Sequence, residues 1–163
     1  MTLTLQGSCR CGAVSFTCES HTPVPYQRCY CSICRKTAGG GGYAINLGAQ
    51  ADTLEVEGRE AIGIYRAEID RGGSCEVSSG ERNFCTRCAT ALWLYDPSWP
   101  ELIHPFASAI DSDLPEAPAI VHLMLKEKPS WVPLHAGPED ECYDVYPELS
   151  LEDWHREHGV WVE

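Results

Sequence analysis

Three cysteines fall within six residues at Cys29, Cys31 and Cys34, in the stretch "CYCSICRKTAGGGG". Two further pairs stand apart from it: Cys9 and Cys11 as C-x-C, and Cys85 and Cys88 as C-x-x-C. Close pairs of this kind suit tetrahedral zinc, which thiolates bind at about 2.3 Å. A C-x-x-C bend lets two sulfurs converge on one ion. A C-x-C pair in extended chain points both side chains to one face, because a strand repeats every two residues. The seven ligands divide naturally as four plus three. A closed structural site wants four protein ligands, whereas a reactive site keeps one position open.

Spacing alone does not settle which pairs go together. The cheapest division joins Cys9, Cys11, Cys85 and Cys88 across a long loop whose closure costs entropy. It leaves Cys29, Cys31 and Cys34 as a three-sulfur site. Cys75 or a histidine could complete that site as a second closed one. Cys31 and Cys34 could instead form a redox pair, although no thioredoxin-like pattern surrounds them. Iron–sulfur ligation fits seven ligands poorly. Cys18 alternates with Phe16 and reads as a small buried hydrophobe. Cys142 sits in the acidic stretch "GPEDECYDV" and reads as incidental.

Three thiolates on one zinc leave a net charge near −1, so nearby cations would help. Arg28, Arg35 and Lys36 flank the motif and are the candidates, with solvated surface charge as their plainer reading. Gly39–Gly42 could admit backbone N–H groups to a ligand or form a simple turn, and Tyr43 could wall a pocket or begin a core face. The run is followed by Tyr43 rather than by Lys and Ser or Thr, so it is no P-loop. The histidines offer no obvious general base. His104 and His122 read as structural, and His135 is a candidate to approach the pocket. His155 and His158 share a helix face and read as surface or interface residues.

The elements that would position these cysteines are short. "TLTL", "AVSFTC", "YAINL", "AIGIYRAEI", "ELIHPFASAI" and "AIVHLMLK" alternate or run apolar and predict strands, broken by Pro, Gly, Asp and Ser turns. "PVPYQRC" is predicted extended, because proline restricts its predecessor. A single helical turn is expected after Cys34. The tail "PELSLEDWHREHGV" predicts the one clear helix, capped by Ser150 with Asp153 three residues on, and ended at Gly159. The expected fold is mainly β: short coiled β-sheets stabilised by zinc, with a short C-terminal helix, in one domain over residues 1–163.

Composition narrows the function. The 163 residues carry 24 Asp and Glu against 12 Lys and Arg, a formal charge of −12. That balance argues against nucleic acid and against an anionic membrane surface as partner. The opening "MTLTLQGSCRCGAVSF" lacks the pattern of a signal peptide, and no apolar run reaches membrane length. A soluble, cytoplasmic protein is the expectation, since clustered cysteines in a reducing compartment point to metal more than to disulfides. The five tryptophans and seven tyrosines read first as core and second as a homodimer surface.

The segments "GSCRCGAVSF", "CYCSICRKTAG" and "FCTRCATAL", with the later "SWV" at Ser130–Val132, resemble the family of glutathione-dependent formaldehyde-activating enzymes and centromere protein V. The resemblance spans about residues 3–135 and leaves 136–163 as a C-terminal extension. It implies two Zn2+ sites, with Cys9, Cys11, Cys85 and Cys88 as structural ligands. Cys29, Cys31 and Cys34 would hold a labile, catalytic zinc. It also implies a carbon–sulfur lyase or synthase of the S-(hydroxymethyl)glutathione synthase type, joining glutathione or another small thiol to formaldehyde or another small aldehyde. The alternative, suggested by the centromere branch, is a non-enzymatic zinc-binding structural or protein-interaction domain. Two positions depart from the family pattern: Arg10 stands where His is frequent, and Ala89 where Gly is usual. Ala89 should therefore not need a positive φ, or the knuckle will be strained.

Overall fold

The computed structural model describes residues 1–163, and most of its regular structure is short strand. In chain order the first elements are β1 (Leu3–Ser8), β2 (Ser15–Ser20), β3 (Tyr26–Cys29), the helix α1 (Ser32–Ala38), β4 (Ala44–Asn46), β5 (Ala49–Gln50) and β6 (Glu55–Glu57). Then come β7 (Ile62–Tyr65), β8 (Glu68–Asp70), β9 (Cys75–Val77), β10 (Glu81–Cys85), β11 (Ala91–Tyr95) and β12 (Leu102–Pro105). The chain ends with β13 (Ile120–Leu123), β14 (Glu141–Cys142) and α2 (Leu151–Glu157). No helix is long and apolar enough to cross a membrane.

These strands make four small sheets, ordered β1-β2-β6, β5-β12-β11-β10-β7, β14-β13-β3-β4 and β8-β9. Alternation builds the first one. Phe16, Cys18 and Ser20 face inward from β2, while Ser15, Thr17 and Glu19 lie nearer solvent. Burial, then the charge of Glu19, pushes the Cys18 thiol up to about 12, so it packs as an inert hydrophobe. In β11 the alternation fails in an informative way. Pairing with β10 jumps from Asn83↔Trp93 to Phe84↔Ala91. The bulge at Leu92 lets two consecutive residues, Leu92 and Trp93, both enter the core.

Two apolar clusters result. One gathers Leu5, Val14, Phe16, Leu47, Leu92, Trp93 and Ile103, with Cys9 and Cys85 among its members. Phe16 meets Trp93 edge-on at 5.1 Å between ring centroids. The other gathers Val24, Ala44, Phe106, Val121, Leu123 and Trp154, with Cys29 and Cys34 among its members. Each core thus carries its own set of cysteines.

Several expectations need correction. "AIGIYRAEI" is two strands, broken at Arg66–Ala67, because buried Ala67 gives its carbonyl to the Ser78 N–H. The first helix begins at Ser32, before Cys34 rather than after it. The C-terminal helix forms as predicted: the Ser150 hydroxyl accepts the Asp153 N–H at 3.1 Å, and Gly159 follows at φ +66°. Its inner face, however, is core. Trp154 and His155 are buried, and His155 Nε2 donates to the Val24 carbonyl, so His155 is not a surface residue. Trp131 goes the other way and stands 67% exposed.

Ala89 adopts φ +64°, the left-handed conformation that the sequence made unwelcome there. The Ala89 N–H donates to the Cys85 carbonyl at 2.8 Å, and this turn geometry holds the residue in place. A Cβ in that region costs about 1–2 kcal/mol. Part of it is offset by the entropy that glycine would lose on folding. Ala89→Gly is therefore expected to stabilise the protein by about 0.5–1 kcal/mol. Urea unfolding of zinc-loaded protein measures this, and a destabilised variant would contradict the strain.

Candidate metal centres

All ten cysteines are free thiols, and seven of them converge in two groups. In each group the sulfurs lie within 4.8 Å of one another. The division is four and three: Cys9, Cys11, Cys85 and Cys88 in one, Cys29, Cys31 and Cys34 in the other. Cys75 lies exposed on β9 and Cys142 exposed on β14, and neither joins a group.

In the four-cysteine group, Cys9 follows β1, Cys11 lies in the next turn, Cys85 ends β10 and Cys88 lies in the turn after it. Cys9 and Cys11 Sγ are 3.6 Å apart, and Cys11 and Cys85 Sγ 3.8 Å. A tetrahedron with zinc–sulfur bonds of about 2.3 Å has edges of about 3.8 Å, so the sulfurs already stand at the spacing that zinc requires. A disulfide would need a separation of about 2.05 Å.

Backbone and side-chain donors face these sulfurs. The Val14 N–H donates to Cys9 Sγ at 3.2 Å. The Thr90 hydroxyl accepts the Arg10 N–H at 3.0 Å and lies 3.2 Å from Cys88 Sγ, to which it donates. That bond leads the causes holding the Cys88 thiol down at about 5. Thr90 thus ties the two arms of the site together, a role that sequence reading missed. Only its place two residues after the last cysteine could have signalled it.

In the three-cysteine group, Cys29 ends β3, Cys31 caps α1 and Cys34 sits in its first turn. Cys31 Sγ accepts the Cys34 N–H at 3.3 Å, an N-cap made by sulfur. Hydrogen bonds from Cys29 and then Cys31 hold the Cys34 thiol far down, at about 2, with the Arg82 guanidinium adding to them. The Cys29 thiol is raised, chiefly by its bonds to Cys31 and Cys34. No fourth Cys, His, Asp or Glu belongs to this group.

The cation that touches the group is not one of those flanking the motif. Arg82 reaches from β10 with Nη2 at 3.5 Å from Cys34 Sγ and Nη1 at 3.4 Å from Thr37 Oγ1. Arg28 instead lies over the Tyr43 ring, 4.9 Å from its centroid, and Lys36 is exposed. Beside Arg82 opens a cavity of about 280 Å³, lined by Thr37, Asn83, Phe84, Ala89 and Phe106 among others. The glycine run has a packing reason at Gly42, where φ is +99° and a Cβ would come within 2.2 Å of Val132. Tyr43 packs on Tyr30 at 5.2 Å, and His135 is exposed. His104 Nδ1 bonds to the Leu47 carbonyl, a structural role as expected.

Tyr30, between the first two cysteines of this group, is anchored inside the protein. Its hydroxyl lies 2.9 Å from His122 Nδ1, and His122 Nε2 lies 3.3 Å from Asp140 Oδ2. The carboxylate accepts from Nε2–H, so in the neutral imidazole Nδ1 is the acceptor and the tyrosine hydroxyl donates. Tyr30 and His122 are 1% and 0% exposed. Asp140 also accepts the Gly137 and Ile120 N–H groups, each at 2.9 Å. Burial opposes its ionisation, but those donors and His122 hold the carboxyl below the usual range.

A carboxyl depressed in the folded state stabilises fully above its unfolded value of about 4, and that stability is lost as pH falls through the folded value. Asp140→Ala is expected to cost about 2 kcal/mol near pH 6. The gap from wild type should narrow as pH falls below the unfolded value and through the lower folded one. Urea midpoints across that range test it, and a gap constant with pH would show that the carboxylate charge plays no part.

Comparison with known proteins agrees with the geometry. The family model described as "Glutathione-dependent formaldehyde-activating enzyme" matches residues 4–126. A Halomonas elongata protein named "Putative glutathione-dependent formaldehyde-activating enzyme" is 60% identical over 156 residues, 96% of this chain and 97% of that protein. A crystal structure of a Rhodobacter sphaeroides protein aligns at 25% identity and a TM-score of 0.49, over 68% of this chain and 91% of the other, a likeness too slight to carry an argument. The 60% identity across nearly the whole of both chains and the match to the family model lead to one conclusion: this chain belongs to the glutathione-dependent formaldehyde-activating enzyme family.

Proposed function

We propose that the protein joins glutathione to formaldehyde to give S-(hydroxymethyl)glutathione, in the reducing cytoplasm where its ten free thiols persist. Cys9, Cys11, Cys85 and Cys88 hold a structural zinc, and Cys29, Cys31 and Cys34 an exchangeable catalytic zinc with one position open to substrate. The observation that carries this reading is the three-sulfur group with no fourth protein donor, joined through Arg82 to a neighbouring cavity. The family name and the name of the Halomonas relative support the substrates.

In the reaction the glutathione sulfur forms a bond to the formaldehyde carbon. The carbonyl π pair moves to oxygen, which takes up the proton that leaves the thiol. Zinc supplies, when bound, a lowered thiol pKa and a polarised carbonyl oxygen. The protein's own contribution is placement. Cys29, Cys31 and Cys34 fix one point, Arg82 offers a guanidinium to a substrate carboxylate, and Phe84 and Phe106 wall the cavity against water. The gain is nucleophile and electrophile held together, since thiols add to formaldehyde unaided.

Magnetisation-exchange NMR of formaldehyde and glutathione separates catalysis from that background. Wild-type protein should speed the exchange beyond buffer, and Cys31→Ser should lose at least about nine-tenths of the increment. Equal rates in wild type, variant and buffer would remove the enzyme reading. Arg82→Gln should raise the KM for glutathione about tenfold, with a smaller change for a neutral thiol such as 2-mercaptoethanol. Parallel changes for both thiols would take Arg82 out of carboxylate recognition.

A further inference from the structure

Strand geometry divides the C-x-C segment between two environments. Cys29 and Cys31 sit one residue to either side of Tyr30, so in extended chain their side chains point opposite to it. Two sulfurs face the three-cysteine group, and the phenol faces the interior. There the ring packs against Tyr43 and His122, and the hydroxyl ends on His122 Nδ1. The main chain is fixed at the same place, with the Tyr30 N–H donating to the Leu123 carbonyl at 3.1 Å.

The anchor extends across the sheet. His122 lies on β13, which pairs in parallel with β3 through His122↔Arg28 and Leu123↔Cys29. Asp140 comes just before β14, which pairs in parallel with β13 on its other side. The chain Asp140–His122–Tyr30 therefore runs from an edge strand, through the centre, to the cysteine-bearing segment. Every member is satisfied. The carboxylate takes three donors, one imidazole tautomer fits, and the hydroxyl has its acceptor. A fully satisfied buried network fixes a single geometry, and losing one member leaves a desolvated partner behind.

We propose that the Tyr30–His122–Asp140 chain is a positioning device for the three-cysteine site, setting how tightly that site retains its metal. The proposal rests on the reading that this site holds zinc. Three ligands have less redundancy than four, so the angle between the Cys29 and Cys31 sulfurs weighs heavily in retention. The four-cysteine site has no member of this network among its contacts and should not respond. Tyr30, His122 and Asp140 act through the chain that bears the ligands and do not touch the metal.

Zinc release from the holoprotein to an excess of a chromogenic chelator tests this without reference to turnover. Wild type should release two zincs per chain in two phases. Tyr30→Phe keeps the ring in place and removes only the hydroxyl. It should speed the faster phase about tenfold and leave the slower phase unchanged. Cobalt substituted for zinc gives a second readout, in which the sulfur-to-metal charge-transfer band of the three-cysteine site should shift while that of the other site stays. Asp140→Asn keeps the hydroxyl bond to His122 but weakens its support, and should show a smaller acceleration of the same phase. It carries the test if Tyr30→Phe does not fold. Unchanged release in both variants, or equal acceleration of both phases, would overturn the positioning role. One zinc per wild-type chain would instead overturn the metal reading of the three-cysteine site.

Discussion

The structure depends on sulfurs brought together from distant parts of the chain. Cys11 and Cys85 stand 74 positions apart, yet their Sγ atoms are 3.8 Å from each other. Closing a loop of that length costs roughly 4 kcal/mol of chain entropy. Thiolates at this spacing would also repel. Zinc binding to four thiolates is worth about 10–16 kcal/mol, several times the closure term. Apolar packing alone gives no reason for four cysteine sulfurs to converge on one point, whereas a metal ion does. With an ion bound there, the fold would be held by coordination as much as by apolar burial.

Strand β10 connects the two centres. Cys85 at its end belongs to the four-cysteine group, and Arg82, three residues earlier, bonds Cys34 of the other. The strand is interior to its sheet, between β7 and β11, so its position is set by two neighbours. Arg82 therefore reaches Cys34 from a strand whose end belongs to the four-cysteine group. Its guanidinium serves two purposes at once, since it balances negative charge on sulfur and leaves a cation at the rim of the cavity.

What the sequence shows and hides follows from range. The cysteine spacings, the alternation of β2 and the Ser150 cap are local patterns, legible because neighbours in sequence create them. Arg82 lies 48 positions from Cys34, Thr90 lies 80 from Arg10, and His122 lies 92 from Tyr30. Nothing near Arg82 or Thr90 marks either as a partner of sulfur. Proximity in sequence pointed to Arg28, Arg35 and Lys36, and tertiary structure turned Arg28 onto an aromatic ring instead. His155 misled for a related reason. Its spacing from His158 predicted a shared face on one helix, but α2 ends at Glu157 with His158 as its cap, and His155 is buried by residues from elsewhere in the chain. Ala89 is the opposite case: local chemistry spoke against the conformation, and the turn imposed it.

The parallel pairing of β3 with β13 has a consequence for how the molecule is born. Every ligand of the four-cysteine group has been synthesised once Cys88 is made, along with the first two sheet partners of the N-terminal segment. Cys29, Cys31 and Cys34 are made earlier still, but β13 at Ile120–Leu123 and β14 at Glu141–Cys142 follow much later. On the ribosome, then, the older cysteines wait for the younger strands. The nascent chain can gather its four-cysteine group while its three-sulfur segment still lacks half a sheet, so the three-cysteine group is completed after the four-cysteine one.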